Sequence, residues 1–395
     1  MFEHLEDKEP DKLLGLIKLY ANDTRSEKID LGVGVYRTAE GKTPVFSAIK
    51  KAERFLLENQ ESKSYLGPEG DAGFAEALLP IVFGADQEIH EKTLRLQTPG
   101  GTGAVRMAAA LVARAGVTRI HLGLPSWPNH AQIFDDIGLS VNGFVHADPA
   151  SGQADFAALL QTIEDASPGD AVILHACCHN PTGIDYTTKR WEEIASALLE
   201  NGVLPIVDFA YQGLGSGLED DAQGVRILAA RMPELLVAYS CDKNFGLYRD
   251  RVGALFAVVQ AEGSRAKCLS NLNELARACW SMPPDHGAAA ARIVLEDEQL
   301  RREWKEELEA MRERLQRMRY LLSKADEQVP NIGLGALANG HGMFAMLELS
   351  SAQILSLRDD HAVYIAPSGR ISLAGLTEQN IYRLVQSLSE VCPHT

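Results

Sequence analysis

Between residues 119 and 259 the chain repeats one pattern: a short run of Val, Ile, Leu and Ala, then a stretch with apolar residues at helical spacing. The apolar runs are Arg119–Leu124, Ala171–Ala176, Leu204–Phe209, Leu235–Tyr239 and Gly253–Val259, and they show little polar alternation. A strand with one face in water alternates polar and apolar residues, whereas a strand covered on both faces does not. These runs therefore predict a largely parallel sheet with helices on both faces, Thr188–Glu200 and Ala222–Arg231 among them. At 395 residues the chain is too long for one ordinary core. Two domains, or one large α/β domain with an appendage, are expected.

The flanks read differently. Pro44–Asn59 and Gly73–Phe83 look helical, and strand signals in the first third are weak. Asp297–Lys324 is long, highly charged and apolar at helical spacing, as expected of an amphipathic helix linking two layers or domains. Beyond about Val329 come short strands (Met343–Leu347, Val363–Ile365 and Arg370–Leu373) and a final helix from Thr377. This is the pattern of a smaller α+β domain.

The formal charge of −16 would repel a phosphate backbone, so a nucleic-acid partner is not expected. A small anion could bind only where local arginines overcome that field. Six cysteines are scattered with no regular framework, which fits a reducing cytosol. Met1–Asp7 is acidic where a signal peptide would be basic and then apolar, and no apolar stretch approaches the roughly 20 residues of a membrane span. A soluble, cytoplasmic protein is expected.

Six segments could carry chemistry. Thr98-Pro99-Gly100-Gly101-Thr102-Gly103 opens into an Ala-rich helix pattern, Ala104–Ala115, where free N–H groups and the helix dipole favour an anion. A plain tight turn would read the same way. A dinucleotide fingerprint fits poorly, because Arg106 replaces the third glycine and no acidic residue follows about 20 positions on. His175-Ala176-Cys177-Cys178-His179-Asn180-Pro181-Thr182-Gly183 ends a predicted strand, where ligand residues gather. Its spacing lacks the separated pairs of a structural zinc site, so a turn or a polar ligand contact is the better reading and no metal is expected. Asp208 closes an apolar strand, where an unpaired carboxylate would be costly, and Tyr211 could reach the same site. A helix N-cap is the ordinary alternative.

The segment Tyr239-Ser240-Cys241-Asp242-Lys243-Asn244-Phe245-Gly246-Leu247-Tyr248-Arg249-Asp250-Arg251 places a lysine directly after a strand. A desolvated lysine near other cations becomes a nucleophile for carbonyl carbons, although a surface salt bridge with Asp242 or Asp250 is also possible. Arg277 and Arg370 stand among apolar or small residues. Each offers a bidentate grip on a carboxylate or an ordinary ion pair.

Together, and in this order, these segments resemble the class I pyridoxal-phosphate aminotransferases of the aspartate and aromatic amino acid subgroup. The resemblance includes Gly32-Val33-Gly34-Val35-Tyr36, Tyr65-Leu66-Gly67 and Pro125-Ser126-Trp127-Pro128-Asn129-His130, and it runs along almost the whole chain. It implies the fold type I transferase architecture: a mostly parallel sheet sandwiched by helices in a large domain (46–311), and a smaller α+β domain built from both chain ends (1–45 with 312–395). It also implies that Lys243 carries the cofactor as an aldimine and moves the proton at the substrate Cα. Asp208 pairs with the ring nitrogen, Asn180 and Tyr211 with the ring oxygen, and Trp127 stacks on the ring. Gly101, Thr102, Gly103, Ser240 and Arg251 hold the phosphate, and Tyr65 reaches it from a second subunit. His130 and His175 support Asp208. Arg370 clamps the α-carboxylate beside Gly34, and Arg277, from the partner, meets a second carboxylate. A homodimer with shared active sites follows.

Three positions depart from the commonest aspartate-type pattern: Met282, Arg37 and Ser64. Ping-pong transamination of aromatic amino acids as well as aspartate and glutamate, with an oxo acid such as 2-oxoglutarate, is the expectation. The alternatives are strict aspartate specificity, or a lyase or decarboxylase on the same scaffold. Asp242 stands where relatives carry Ser, and its side chain is expected to point away from the cofactor because neighbours in an extended segment alternate.

Overall fold

The computed structural model describes residues 2–7, 12–148 and 151–392. Residues 1, 8–11 and 393–395 of the expected small domain, and 149–150 of the large one, lie outside the described residues. The centre is a seven-stranded sheet. In chain order its strands are β1 (Thr93–Pro99), β2 (Arg119–Leu124), β3 (Ser140–Val145), β4 (Ala171–His175), β5 (Leu204–Phe209), β6 (Glu234–Ser240) and β7 (Val252–Val259). Across the sheet they run β1-β7-β6-β5-β4-β2-β3. The pairs among β2 to β6 are parallel, and β7 alone is reversed, antiparallel to both β1 and β6.

Burial explains the uniform apolar runs. Val172 and Leu174 of β4, Val207 of β5 and Val237 of β6 join one core; Ile173, Ile206 and Leu236, their neighbours, join the other. Side chains alternate faces along a strand, and here both faces are covered. The second core is closed by the helix Gly100–Arg114, which presents Ala104, Ala108 and Val112 to the sheet. The helix Thr188–Asn201 begins at the Thr187 cap and ends at Gly202, whose φ of 65° suits only glycine without strain.

The long helix Glu298–Ser323 starts at the Asp297 side-chain cap. It buries Trp304, Leu308, Met311, Leu315, Met318 and Leu322 along one stripe. Trp304 donates from Nε1 to the carbonyl of Asn244 at 2.7 Å and stacks on Phe245. One end of the helix thus fixes the loop that carries Lys243. Near its other end Arg319, buried, donates to the carbonyls of Leu337, His341, Gly342 and Phe344. The two ends of the chain meet where Ile29–Asp30 pairs in parallel with Val363–Tyr364. Phe344–Met346 pairs with Arg370–Ser372.

The expected strands and helices are present within a residue or two, with two exceptions: Pro44–Phe46 precedes its helix, Ser47–Asn59, and the helix expected from Ala104 already begins at Gly100. Among the described residues five strands were not expected: β1, β3, Ile29–Asp30, Ala147–Asp148 and Gln153–Ala154. Gly253 in β7 marks the closest approach of backbone to the site, since a Cβ there would fall 2.6 Å from both the Gly100 carbonyl carbon and the Tyr239 oxygen. Neither backbone can yield easily. Gly253→Ala should lose about 1–3 kcal/mol in urea unfolding and displace the Gly100 turn; an unchanged unfolding midpoint would show that the strand accommodates the methyl.

Candidate active site

The carboxyl ends of β1, β2, β4, β5 and β6 all face one edge of the sheet, and β7, being reversed, begins there. Ligands bind at such an edge because every strand delivers its following loop to it. A cavity of about 180 Å³ opens there, lined by Gly34, Gly101, Thr102, Trp127, Asn180, Asp208, Ala210, Tyr211, Ser240, Asp242, Lys243, Phe344 and Arg370. Most of the residues expected from sequence therefore meet in one place, drawn from positions more than 300 apart.

Asp208 is buried, and its Oδ2 accepts a hydrogen bond from His130 Nε2 at 3.0 Å. Burial alone would push this carboxyl up. The His130 hydrogen bond, with the Lys243 ammonium adding to it, outweighs burial and holds the group below the usual carboxylate range. Ser126 Oγ lies 3.0 Å from His130 Nδ1 and fixes the ring from behind. Behind His130 the histidines continue: His175 lies 5.2 Å from it, His179 4.1 Å from His175, and His146 stacks on His179 at 3.6 Å. Burial pushes His175 down to about 3, and His146 and His179 are also lowered by burial. His146 and His179 had no signal in the sequence that would join them, being 33 positions apart with different neighbours.

Lys243 is half-buried, with Nζ 5.2 Å from the centroid of the Tyr211 ring. Loss of water pushes its ammonium below the usual lysine range, against the pull of Asp242 and Asp208, with Arg251 adding to the fall. Tyr211 is raised by burial and stays a phenol; its oxygen lies 3.4 Å from Asn180 Nδ2. Asn180 Oδ1 is buried without a partner, as is His175 Nε2. Arg370 is buried against the Phe344 ring at 4.5 Å and donates from Nη2 to the Gly32 carbonyl at 2.9 Å. That loop is held by Asp30, which accepts from Gly32 N–H and pairs with Arg37 at 2.6 Å. Arg37 is thus tied to Asp30.

Some expected residues stand elsewhere. Tyr65 is 91% exposed and Arg277 is exposed, so neither lines the cavity of its own chain. Gly103 is off the wall as well: a Cβ there would meet Pro99 at 3.0 Å. Arg251 lies behind the wall, against Gly100, where its guanidinium fills the space a Gly100 side chain would need. Asp242 corrects the sequence reading. Residues 242–244 form a turn, not an extended segment, and Asp242 is buried on the cavity wall, ion-paired with Arg251. In the segment His175–Gly183, Cys178 Sγ faces the Tyr211 carbonyl, and a Cβ at Gly215, whose N–H binds Asp221, would lie 3.0 Å from that sulfur.

The neutral histidines make acid destabilising. Unfolded histidines gain protons near pH 6.5, whereas folded His175 does so only at about 3. Their contribution is complete above the unfolded value and is lost as pH falls below it. Stability should therefore decline from about pH 6.5 downward, and His175→Asn should lessen that slope by about 1.4 kcal/mol per pH unit. Urea unfolding at intervals from pH 7.5 to 4.5 measures it; equal slopes would exclude His175.

The family model for aminotransferases of class I and II matches residues 26–388. The tyrosine aminotransferase of Rhizobium meliloti (strain 1021) is 50% identical, over 95% of this chain and 96% of its own. The aspartate aminotransferase of Escherichia coli (strain K12) is 42% identical, over 99% and 100%. Among solved structures, an aromatic-amino-acid aminotransferase from Burkholderia pseudomallei, covalently bound to pyridoxal phosphate, superposes with a TM-score of 0.95 at 32% identity, covering 99% of each chain. The chain belongs to the class I and II aminotransferases, in the group that holds the aspartate and aromatic-amino-acid enzymes.

Proposed function

We propose that this enzyme transfers amino groups, by a ping-pong mechanism with pyridoxal phosphate, between 2-oxo acids such as 2-oxoglutarate and both aromatic amino acids and aspartate or glutamate. The observation that carries the reading is that Lys243, Asp208 and Arg370 line one cavity. An amine with a lowered pKa, a carboxylate held ionised and a guanidinium free for a carboxylate are the three groups the chemistry requires.

The residues present fit the cofactor. Gly101 and Thr102, at the start of the helix Gly100–Arg114, and Ser240 would hold its phosphate, with Arg251 behind them. Asp208 would meet its ring nitrogen, Asn180 and Tyr211 its ring oxygen, and Trp127 its face. The unpartnered oxygen of the Asn180 amide and the glycine-lined wall leave room and a polar contact for it. When bound, pyridoxal phosphate supplies an electron-withdrawing ring that stabilises negative charge at the substrate Cα. Lys243 Nζ, its ammonium destabilised by loss of water, would hold the cofactor covalently at its carbonyl carbon, with water released, and would take up and return the proton at the substrate Cα. Arg370 would grip the α-carboxylate beside Gly34.

A homodimer accounts for Tyr65 and Arg277. Both are exposed, and the Leu66 N–H lies 3.0 Å from Met282 Sδ, so the loop that carries Tyr65 adjoins the segment that follows Arg277, itself in the last turn of the helix Glu262–Cys279. On this reading that patch enters the partner's cavity: Tyr65 reaches the phosphate, and Arg277 meets a second carboxylate or gives way to an aromatic ring. Met282, apolar beside Arg277, supports the aromatic tolerance. The pairing of Ile29–Asp30 with Val363–Tyr364 supports a small domain formed from 1–45 and 312–395, beside a large one from 46–311, that closes over substrate. All six cysteines are free, which supports a cytoplasmic setting. No described helix is long and apolar enough to cross a membrane.

Aspartate and phenylalanine should both turn over with 2-oxoglutarate, in stoichiometric amino exchange. No turnover of phenylalanine would leave strict aspartate specificity, and product without exchange would leave a lyase or decarboxylase. Arg277→Leu should lower kcat/KM for aspartate about 100-fold, the value of one charge-assisted carboxylate contact, and change phenylalanine far less; equal losses would remove Arg277 from substrate choice. Lys243→Ala should lose the visible absorbance of the bound cofactor.

A further inference from the structure

Asp242 puts a carboxylate where a phosphate is to bind. It is buried at 4% exposure, lines the cavity beside Gly101, Thr102 and Ser240, and pairs through Oδ2 with Arg251. Its other oxygen, Oδ1, is fully buried and has no hydrogen-bond partner. A buried acceptor without a donor is costly, and a ligand that offers only acceptors makes the cost worse. A phosphate dianion is such a ligand; a phosphate monoanion carries one P–O–H donor.

Charge points the same way. Arg251 and Asp242 cancel, which leaves the partial positive charge at the start of the helix Gly100–Arg114, about half a unit, as the local attraction. That is a poor match for a doubly charged group. The titratable and charged groups facing Asp242 are Arg251 and Tyr248 from the loop ahead of β7, Cys241 and Lys243 on its own segment, and Asp208, Tyr211 and Arg370 around the cavity. The first turn of the helix adds none. Lys243 lies over the Tyr211 ring and makes no hydrogen bond to Asp242 among the described residues.

We infer that Asp242 holds the cofactor phosphate through a shared proton: the phosphate is bound as its monoanion, and its P–O–H donates to Asp242 Oδ1. Binding then takes one proton from solvent whenever the free phosphate is dianionic, which begins near its second pKa of about 6. The inference rests on pyridoxal phosphate as the cofactor.

The test is phosphorus NMR of the holoenzyme from pH 6 to 8.5, for the wild type, Asp242→Ser and Asp242→Asn, with cofactor dissociation constants by equilibrium dialysis across the same range. Asn keeps the volume of Asp and supplies a donor, so it covers a failure of the Ser variant to fold. The wild-type resonance should stay at the monoanion position through neutral pH, and both variants should sit at the dianion position. The wild-type dissociation constant, divided by that of either variant so that shared titrations cancel, should rise about tenfold per pH unit above about pH 6. A dianion resonance in all three proteins with a flat ratio would overturn the inference and leave the cofactor reading intact. No bound resonance in any of them would overturn both.

Discussion

Charges buried at the carboxyl edge of the sheet are the constraint on which the rest of this protein turns. A carboxylate or an ammonium taken out of water costs several kcal/mol unless it is paired and hydrogen-bonded. Asp208, Asp242, Arg251, Lys243 and Arg370 stand together there, placed by four different stretches of backbone. Asp208 comes from the end of β5, and its partner His130 from the helix after β2. Asp242 and Lys243 follow β6, and Arg251 precedes β7. The strand order is what lets these residues meet, and a slip of one strand would leave a bare charge behind. The fold and the site are therefore one problem in electrostatics as much as in packing.

The apolar framework makes that arrangement rigid. Neighbouring residues of the central strands feed two cores on opposite faces, so no strand can rotate without moving half its side chains into the wrong layer. The helix Glu298–Ser323 then ties the outlying pieces down. Trp304 grips the Asn244 carbonyl beside Lys243, and Arg319 gathers the carbonyls that hold Phe344, whose ring in turn carries Arg370. A single helix thus positions both Lys243 and Arg370.

This division explains what the sequence could reveal. Strands buried on both faces leave continuous apolar runs, and five of the seven were legible for that reason. β1 carries Arg95 and Gln97, β3 is an edge strand with mostly exposed residues, and Ile29–Asp30 pairs over two residues only; none has a pattern to read. Lys243 and Asp208 were legible because each is a polar residue at the end of, or just beyond, an apolar run, and Arg370 because it stands charged among small and apolar residues at the start of a strand. Arg319 was missed inside a highly charged helix, although its place beside Leu315, Met318 and Leu322 on the buried stripe was a usable signal. Asp242 was misread because the direction of a side chain depends on local backbone, and the chain turns at this point instead of continuing β6.

The two carboxylates of the cavity show how partner choice decides function. Asp208 is held by an imidazole, which can donate a hydrogen bond without carrying a full charge, so the carboxylate is kept ionised while its negative charge stays available to the cavity. Asp242 is held by a guanidinium, which is always charged, so most of its field is cancelled where it stands. Exchanging the partners would reverse the outcome: an arginine at position 130 would spend the charge of Asp208 within the protein, and a histidine at 251 would leave Asp242 to repel any anion. One cavity can therefore contain two carboxylates of different character, because the protein neutralises only the second within its own structure.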